Sequence, residues 1–286
     1  MNSISETAYA VAMYRALETE RPDALFLDTH ARLLAGGRGE LIVKILGNER
    51  RIANLIAVRT SLIDAIIERL VDTEIIDTVL NLAAGLDMRP YRLSLPPTFR
   101  WIEVDLPDVF EYKAEKLCGE KPDCILERFK LDLTDIVSRN ILFSTINSQS
   151  QNILVLTEGL LSYLSEIQVK LLSADLYRQN NFRWWLFEIV SSAAFKDSVN
   201  DWSQKIANQY FSDGTPIFQY TPDVGVEFFE ASRWSVSQVR YVWEESRRLK
   251  RGIWFAELFS EFLIRRFAQE NWEALRQHNR IILLGR

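Results

Sequence analysis

The sequence predicts an α/β fold in which a mostly parallel, Rossmann-like sheet is covered by helices. Between residues 77 and 190, short apolar runs suited to buried strands alternate with helix-length segments, as in strand–helix–strand units. The run 79–82 ends abruptly in the small residues 83–85, at the kind of turn where open α/β sheets hold nucleotide-like ligands. Twenty residues after Gly85, a second run ends in Asp105, a spacing at which an acid accepts hydrogen bonds from ribose hydroxyls.

Two helices are predicted at the start of the chain. Ser3 and Glu6 have the spacing of a capping box, which satisfies backbone N–H groups at a helix start. This helix is expected to end near Glu20, because the residue before a proline disfavours helical geometry. A second helix is expected over residues 27–35, ending at the glycine pair 36–37.

The third predicted helix, over residues 48–71, has an apolar stripe with a 3.6-residue period. Arg59 occupies one position of this stripe. An unpaired charge on a buried face is strongly unfavourable, so the guanidinium requires an anionic partner, either a core acid or a ligand.

The alternating region and the tail complete the predicted element order. Strands are expected near residues 78–82, 101–105, 124–131, 152–157 and 183–190, with helices near 88–94, 107–118, 134–146 and 165–180. The tail is less regular: we expect a strand at 226–229, helices over 235–250 and 254–276, and a last strand over 279–284. No repeat or linker interrupts the chain, so we expect a single domain over 1–286, with a helical N-terminal cap (1–75), a cofactor-binding core (76–190), and a substrate cap with closing strands (191–286).

Composition argues against several classes of protein. The formal net charge of −5 does not indicate a basic surface that would bind nucleic acid. Cys118 and Cys124 match no zinc or redox spacing, and two histidines are too few for a histidine-rich metal site. The N-terminus has no basic leader, and no apolar run reaches about 18 residues, so we expect a cytoplasmic protein that does not span a membrane. The sequence does not indicate an oligomeric state.

The turn carries a recognisable motif. Residues 81–93 read Asn-Leu-Ala-Ala-Gly-Leu-Asp-Met-Arg-Pro-Tyr-Arg-Leu and resemble the leucine carboxyl methyltransferase family, which includes bacterial polyketide O-methyltransferases. The family pattern differs only in a glycine where this chain has Ala83. The resemblance extends over residues 5–190. It implies the class I fold of methyltransferases that depend on S-adenosyl-L-methionine (SAM), with an antiparallel last strand.

The resemblance also implies site residues. By this resemblance, Arg59 binds the carboxylate of SAM and Glu158 lies near the amino group of SAM. Asp105 binds the ribose, and Glu103 is the alternative ribose-binding acid. Tyr163 would face the acceptor as the candidate catalytic residue. The remaining implied positions are Ala83 and Gly85 in the cofactor loop, Asp132 and Leu133 beside the adenine, and Thr7, Tyr14 and Arg15 on an opening helix that covers the cofactor.

Each assignment has a structural alternative. Arg59 could be a paired core arginine and Tyr163 a core tyrosine. Asp105 and Asp132 could cap helices, and Glu158 could be a solvated strand end. Arg15 could equally form a surface salt bridge, and the aromatic stretch 202–220 could be a pocket lid.

The implied function is O-methylation of a carboxylate or hydroxyl group on a small molecule, as in natural-product tailoring. A carboxylate needs no general base, whereas an alkyl hydroxyl does, and the scarcity of histidine favours a carboxylate or an acidic hydroxyl. A non-catalytic SAM-binding or scaffold protein remains open, supported by Ala83. An NAD-linked oxidoreductase is disfavoured, because the turn lacks the glycines of a phosphate-binding loop.

Overall fold

A computed structural model describes residues 3–46, 49–190, 227–230, 232–252 and 279–286. These residues contain a seven-stranded sheet of order β3-β2-β1-β4-β5-β7-β6. Its strands are β1 (Thr78–Leu82), β2 (Arg100–Asp105), β3 (Ile125–Lys130), β4 (Ile153–Thr157), β5 (Phe182–Val190), β6 (Ser235–Tyr241) and β7 (Asn279–Gly285). The first five run parallel, and β7 pairs antiparallel with both β5 and β6. The predicted mixed sheet is thereby confirmed.

Helices surround this sheet and extend before it. They are α1 (Ser3–Thr19), α2 (Ala31–Leu46), α3 (Glu49–Asp72), α4 (Arg89–Arg92), α5 (Pro107–Lys116), α6 (Ile136–Gln149), α7 (Glu166–Tyr177), α8 (Glu227–Glu230) and α9 (Val242–Arg248), with a 3₁₀ turn at Leu161–Tyr163. Between residues 77 and 190, each predicted element is present within a few residues of its expected bounds.

The sheet separates two apolar layers. Both β1 and β4 are buried along their whole length, as expected for central parallel strands covered on two faces. One layer contains the inner faces of α6 and α7 with Phe229 and Trp234. The other contains the stripe of α3 with Val242. Successive strand residues point to opposite faces, so a side chain's parity along the strand decides which layer it enters.

The second helix begins later than predicted, and a further helical segment that follows it was not predicted. The helix begins at Ala31 and continues to Leu46, with a kink at Gly36, whose φ of 53° lies in the left-handed region. Glycine tolerates this conformation, and with ψ −169° it is not helical, so helical geometry ends at the glycine pair as predicted and resumes after it. Burial of Ile42, Val43 and Leu46 against α1 and its neighbours explains why the chain becomes helical again beyond the glycine pair.

Two predictions for the tail were also wrong. Residues 227–230 form the short helix α8, where a strand was expected at 226–229. Residues 235–241 form strand β6, and only 242–248 are helical, where one helix was expected over 235–250. Residues 235–241 form a strand because they pair with β7. That partner is distant in sequence, so the local pattern of residues does not reveal the pairing. The helix predicted at 254–276 and the aromatic stretch 202–220 lie outside the described residues.

The described residues contain neither a candidate membrane span nor a candidate metal site. No helix there has the length and apolar character needed to cross a bilayer. The same residues contain no group of three or more His, Cys, Asp or Glu side chains arranged to hold a metal ion.

Candidate functional site

The turn after β1 lies at the carboxyl edge of the sheet and is shaped by two left-handed residues. Ala83 has φ 55° and Gly85 has φ 52°. The Gly85 N–H donates to Asp105 Oδ2 at 2.6 Å, and the Leu106 N–H donates to Asp105 Oδ1 at 2.7 Å. Burial raises the pKa of Asp105 although both hydrogen bonds oppose the rise. The acid that ends β2 therefore holds the turn by accepting backbone N–H groups, with carboxylate lone pairs still available.

The second acid of β2 has different partners. Glu103 accepts from Lys113 Nζ at 2.7 Å and from Arg128 Nε at 2.8 Å. The side chains of Glu103 and Lys113 are both completely buried. Their pairing satisfies two groups that are costly to bury alone. The arrangement identifies Glu103 as a structural acid, which leaves Asp105 as the better candidate for ribose.

A network of buried charges lies at the carboxyl ends of β4 and β5. Strand parity turns Glu158 and Glu188 toward the α3 layer, where Arg59 meets both. Arg59 Nη1 donates to the two Glu188 oxygens at 2.9 and 3.1 Å. Arg59 Nε lies 2.9 Å from Glu158 Oε1, as an ion pair without hydrogen-bond geometry. Arg59 is therefore an ion-paired arginine on a buried helix stripe, as its position in the sequence required.

The same network continues into the 81–93 motif. Glu158 Oε2 lies 2.7 Å from Arg89 Nη1, which also contacts Asp87 Oδ2 at 2.9 Å. Arg89 Nε donates to Asp64 Oδ1 at 2.6 Å. Asn81, within β1, donates to Asp87 Oδ2 at 2.9 Å. Glu158 thus joins the two arginines, so the third helix, β4 and the motif turn are held in one geometry.

The two glutamates of this network differ in their ionisation. Burial opposes the charge on Glu158, but Arg89 and Arg59 outweigh it and lower its pKa. Burial also opposes the charge on Glu188, and there Arg59 compensates only in part, so the pKa of Glu188 is raised. Glu158 is shared by two guanidinium groups, whereas Glu188 contacts only one of the described cations.

Tyr163, at the end of the 3₁₀ turn, is tied to the first helix. Its hydroxyl donates to Thr7 Oγ1 at 2.8 Å. Burial is the main cause that raises the pKa of Tyr163 to about 12, against the effect of that hydrogen bond. The phenol is therefore protonated at neutral pH and is suited to donate a hydrogen bond.

The predicted adenine pair is less enclosed. Asp132 is exposed, and its Oδ1 accepts from the backbone N–H and the hydroxyl of Thr134 at 2.9 and 2.7 Å. Leu133 packs against the α6–α7 layer. The cap of α6 is Asp135, which accepts from two backbone N–H groups of the first turn. Asp132 forms a local turn and does not join the charged network of the other candidates.

The first helix lies across the motif turn. Arg15 Nη2 donates to the Leu86 carbonyl at 2.5 Å, and its Nε pairs with Asp28 at 2.9 Å. A Cβ added to Gly85 would lie 3.5 Å from the Ala8 Cβ. Arg15 does meet an anion, as one reading of the sequence expected, but the pair is buried and not on the surface.

Sequence reasoning missed Arg89, Asp64 and Glu188. A usable signal existed for Glu188, because it is the one acid in the strand segment Trp-Trp-Leu-Phe-Glu-Ile-Val. Arg89 belongs to the family motif but received no role of its own. Asp64 follows Arg59 on the same helix, where only the packing against α4 reveals its contacts.

A model of the leucine carboxyl methyltransferase family matches residues 8–176, more than half of the chain. The chain belongs to this family. The resemblance inferred from residues 81–93 is thereby confirmed.

Bacterial relatives of this family member share part of its length. A protein of Rhodococcus jostii is 39% identical over 123 residues, which are 41% of this chain and 42% of the relative. A protein of Streptomyces coelicolor is 35% identical over 186 residues, 61% of this chain and 64% of the relative. Each is named provisionally as an S-adenosyl-L-methionine-dependent methyltransferase. The chain thus spans less than two thirds of either relative, and their names agree with the predicted cofactor, SAM.

Solved structures support the fold over nearly the whole chain. A DUF574 family protein from Streptomyces avermitilis superposes with a TM-score of 0.62 at 11% identity, covering 98% of this chain and 97% of the other. A protein from Thermobifida fusca, named provisionally as a methyltransferase, gives 0.55 at 14% identity, covering 96% and 94%. Such low identities support the fold alone, which is the predicted class I fold.

The residues at the carboxyl edge fit a zwitterionic nucleoside cofactor. Arg89 Nη2 and Arg59 Nε are buried, and neither makes a hydrogen bond to the described residues. Buried N–H groups are nearly always satisfied, and a carboxylate is a strong acceptor for guanidinium groups. The network therefore has donor capacity that a ligand carboxylate can use.

Proposed function

We propose that this protein is a SAM-dependent O-methyltransferase that acts on a carboxylate or hydroxyl group of a small molecule, in the tailoring of polyketides or other natural products. The observation that carries the proposal is the joining of Arg59 and Arg89 through Glu158, beside the turn at which β1 ends. Family membership supplies the reaction class.

Each candidate residue has a role in this proposal. Arg59 binds the cofactor carboxylate with its remaining donor capacity, and Glu158 accepts from the cofactor ammonium group. Asp105 accepts from the ribose hydroxyls while it holds the turn. The other contacts are assigned to Ala83 and Gly85, which form the turn, and to Asp132 and Leu133, which lie beside the adenine.

SAM, when bound, supplies a methyl group that its sulfonium activates for in-line transfer. The protein must orient the acceptor and exclude water. Tyr163 is assigned to the acceptor as a hydrogen-bond donor that exchanges Thr7 for the acceptor oxygen, because its high pKa makes it a poor base. An acceptor that is already anionic needs no proton removed. These properties favour a carboxylate or an acidic hydroxyl over an alkyl alcohol.

The proposal is tested in two steps with the full-length protein. Titration with SAM and with S-adenosylhomocysteine (SAH) by calorimetry measures binding, and NAD serves as the negative control. Incubation with methyl-labelled SAM and matched acceptors, a small aromatic carboxylic acid and its alcohol analogue, then measures transfer. We expect binding of SAM and SAH but not NAD, and labelling of the acid. Absence of heat with both sulfur nucleosides would overturn the proposal.

One observation favours a second candidate, a SAM-binding or scaffold protein without catalysis. Ala83 adopts a left-handed φ of 55°, a conformation that costs a non-glycine residue roughly 1 kcal/mol. Strain at this position weakens the fit of the turn to a cofactor, which a protein without catalysis would tolerate. Binding of SAM without methyl transfer to any acceptor of either class would favour this second candidate.

A further inference from the structure

The buried network around Arg59 and Arg89 has one carboxylate more than it has cations. Direct contacts at 2.6–2.9 Å join its members into one group. The carboxylates are Glu188, Glu158, Asp87 and Asp64, and the guanidinium groups are Arg59, Arg89 and Arg92. With all groups ionised, the network has a net charge of one negative unit.

Neighbouring charged groups do not remove this excess. Arg15 is balanced by Asp28. The completely buried Glu103 is paired with Lys113 and with Arg128, and the extra cation there offsets the carboxylate of Asp105. Adding these six groups to the count therefore leaves the single negative charge unchanged.

Glu188 is the carboxylate of the network whose negative charge is least compensated by cations. Of the described cations it contacts Arg59 alone, besides a hydrogen bond from the Gly159 N–H, whereas Glu158 contacts both Arg59 and Arg89. Its side chain is 13% exposed, so water provides little screening. A buried carboxylate without full compensation is costly. A cationic ligand is the kind of partner that offsets this cost.

We propose that Glu188 makes the site prefer the charged cofactor over the neutral product. This inference rests on the proposed function. SAM carries a sulfonium, an ammonium and a carboxylate, for a net positive unit, and SAH lacks the sulfonium charge and is neutral overall. The surplus carboxylate of the network therefore attracts SAM before transfer and loses that attraction afterwards, which assists product release. Glu188 is a specificity-determining residue in this reading.

The test compares affinities and requires no turnover. The dissociation constants of SAM, SAH and sinefungin, which carries an amine in place of the methylsulfonium, are measured by calorimetry at pH 8. They are compared in the wild type, Glu188→Gln and Glu188→Asp. Glu188→Gln is expected to lower the preference for SAM over SAH about tenfold, the effect of a unit charge over roughly 10 Å at an effective dielectric constant of about 20. Sinefungin is expected to follow SAM, and Glu188→Asp to retain the preference.

Asp175→Asn is the matched control. Asp175 is a buried acid that pairs with Arg139 and Arg178 between α6 and α7. Its loss breaks a similar ion pair away from the network, so the ratio of the two affinities should not change. If Glu188→Gln does not fold, Glu188→Met removes the same charge and gives the same expected ratio.

The outcomes separate the two proposals. If the wild type binds neither sulfur nucleoside, the proposed function fails and the role of Glu188 fails with it. If the wild type binds both and Glu188→Gln weakens both equally, the function stands and Glu188 is a structural partner of Arg59. Only a change in the ratio, absent in Asp175→Asn, supports the selectivity role.

Discussion

Two buried arginines, Arg59 and Arg251, each pair with two acids but are satisfied to different degrees. Arg251 Nε and Nη2 donate to Glu18 at 3.1 and 2.6 Å, and Nη1 donates to Asp23 Oδ2 at 3.0 Å. Further bonds from Arg251 reach backbone carbonyl oxygens, including that of Asp23 at 2.6 Å. Arg59 Nε, by contrast, makes no hydrogen bond to the described residues.

The contrast separates a structural arginine from a candidate binding arginine. Arg251 joins the end of α9 to the end of α1, and every one of its nitrogens is used. Arg59 is as firmly surrounded by charge, but its Nε lies 2.9 Å from Glu158 without hydrogen-bond geometry, so this donor is not fully used. Planar, fixed donors with spare capacity suit recognition of a ligand carboxylate. Four substitutions test this distinction.

Arg251→Ala is expected to have the largest effect. It leaves Glu18, whose side chain is only 2% exposed, with Arg21 at 3.7 Å as its remaining cation, and the loss of a buried partner costs about 3 kcal/mol. We expect a large fall in the free energy of unfolding in urea, while SAM affinity of the remaining folded protein is unchanged. A stable variant that binds SAM poorly would contradict the structural role.

Arg59→Ala is expected to give the opposite pattern. Charged hydrogen bonds contribute about 1.5–3 kcal/mol each, so SAM affinity should fall about 100-fold by calorimetry. Stability should fall less than in Arg251→Ala, because Glu158 retains Arg89 as a partner and Glu188, whose pKa burial already raises, can take up a proton. Unchanged affinity with a large loss of stability would identify Arg59 as a core arginine.

Asp105→Asn tests the same contrast between a binding residue and a structural residue in the two acids of β2. The amide weakens an acceptor, so we expect roughly tenfold weaker SAM binding, equivalent to about 1.4 kcal/mol. Glu103→Gln is the matched control, because Lys113 and Arg128 already occupy that acid. It should reduce stability and leave SAM affinity unchanged. A reversed pattern would transfer the ribose role to Glu103.

Ala83→Gly is expected to have the smallest effect. Ala83 in the motif turn has φ 55°, and Lys250 beside Arg251 has φ 56°. Relief of a left-handed backbone stabilises by about 1 kcal/mol, so Ala83→Gly and Lys250→Gly should both raise the urea midpoint slightly. Only Ala83→Gly should also change SAM affinity. Destabilisation by either glycine would mean that packing of the lost side chain matters more than strain.

The elements between residues 77 and 190 could be predicted because their information is local. Strand β1 ends at Leu82, where small residues replace the apolar run, as expected. The prediction for residues 235–241 was wrong because the strand partner β7 lies far along the chain. Pairing with β7 outweighs the helical pattern of the local sequence. The helical segment after Gly36 was missed for a similar reason, since it is stabilised by tertiary burial of residues such as Ile42 and Leu46.

In the candidate site, too, local features could be predicted and long-range contacts could not. The motif residues and Arg59 were found from sequence pattern and resemblance. Their contacts were not, because Arg59 and Glu188 lie 129 positions apart. The sequence required an anionic partner for Arg59 but had no means to choose among the acids of the chain. Only the register of β4 and β5 turns Glu158 and Glu188 toward the same helix.

The link between Arg15 and the Leu86 carbonyl has a practical consequence for work with this protein. Any alteration that unwinds the opening helix, such as an internal tag or a shortened expression fragment, also removes a support of the glycine-containing turn. A weak ligand signal from such a sample would report damage to that support and not the properties of the intact chain.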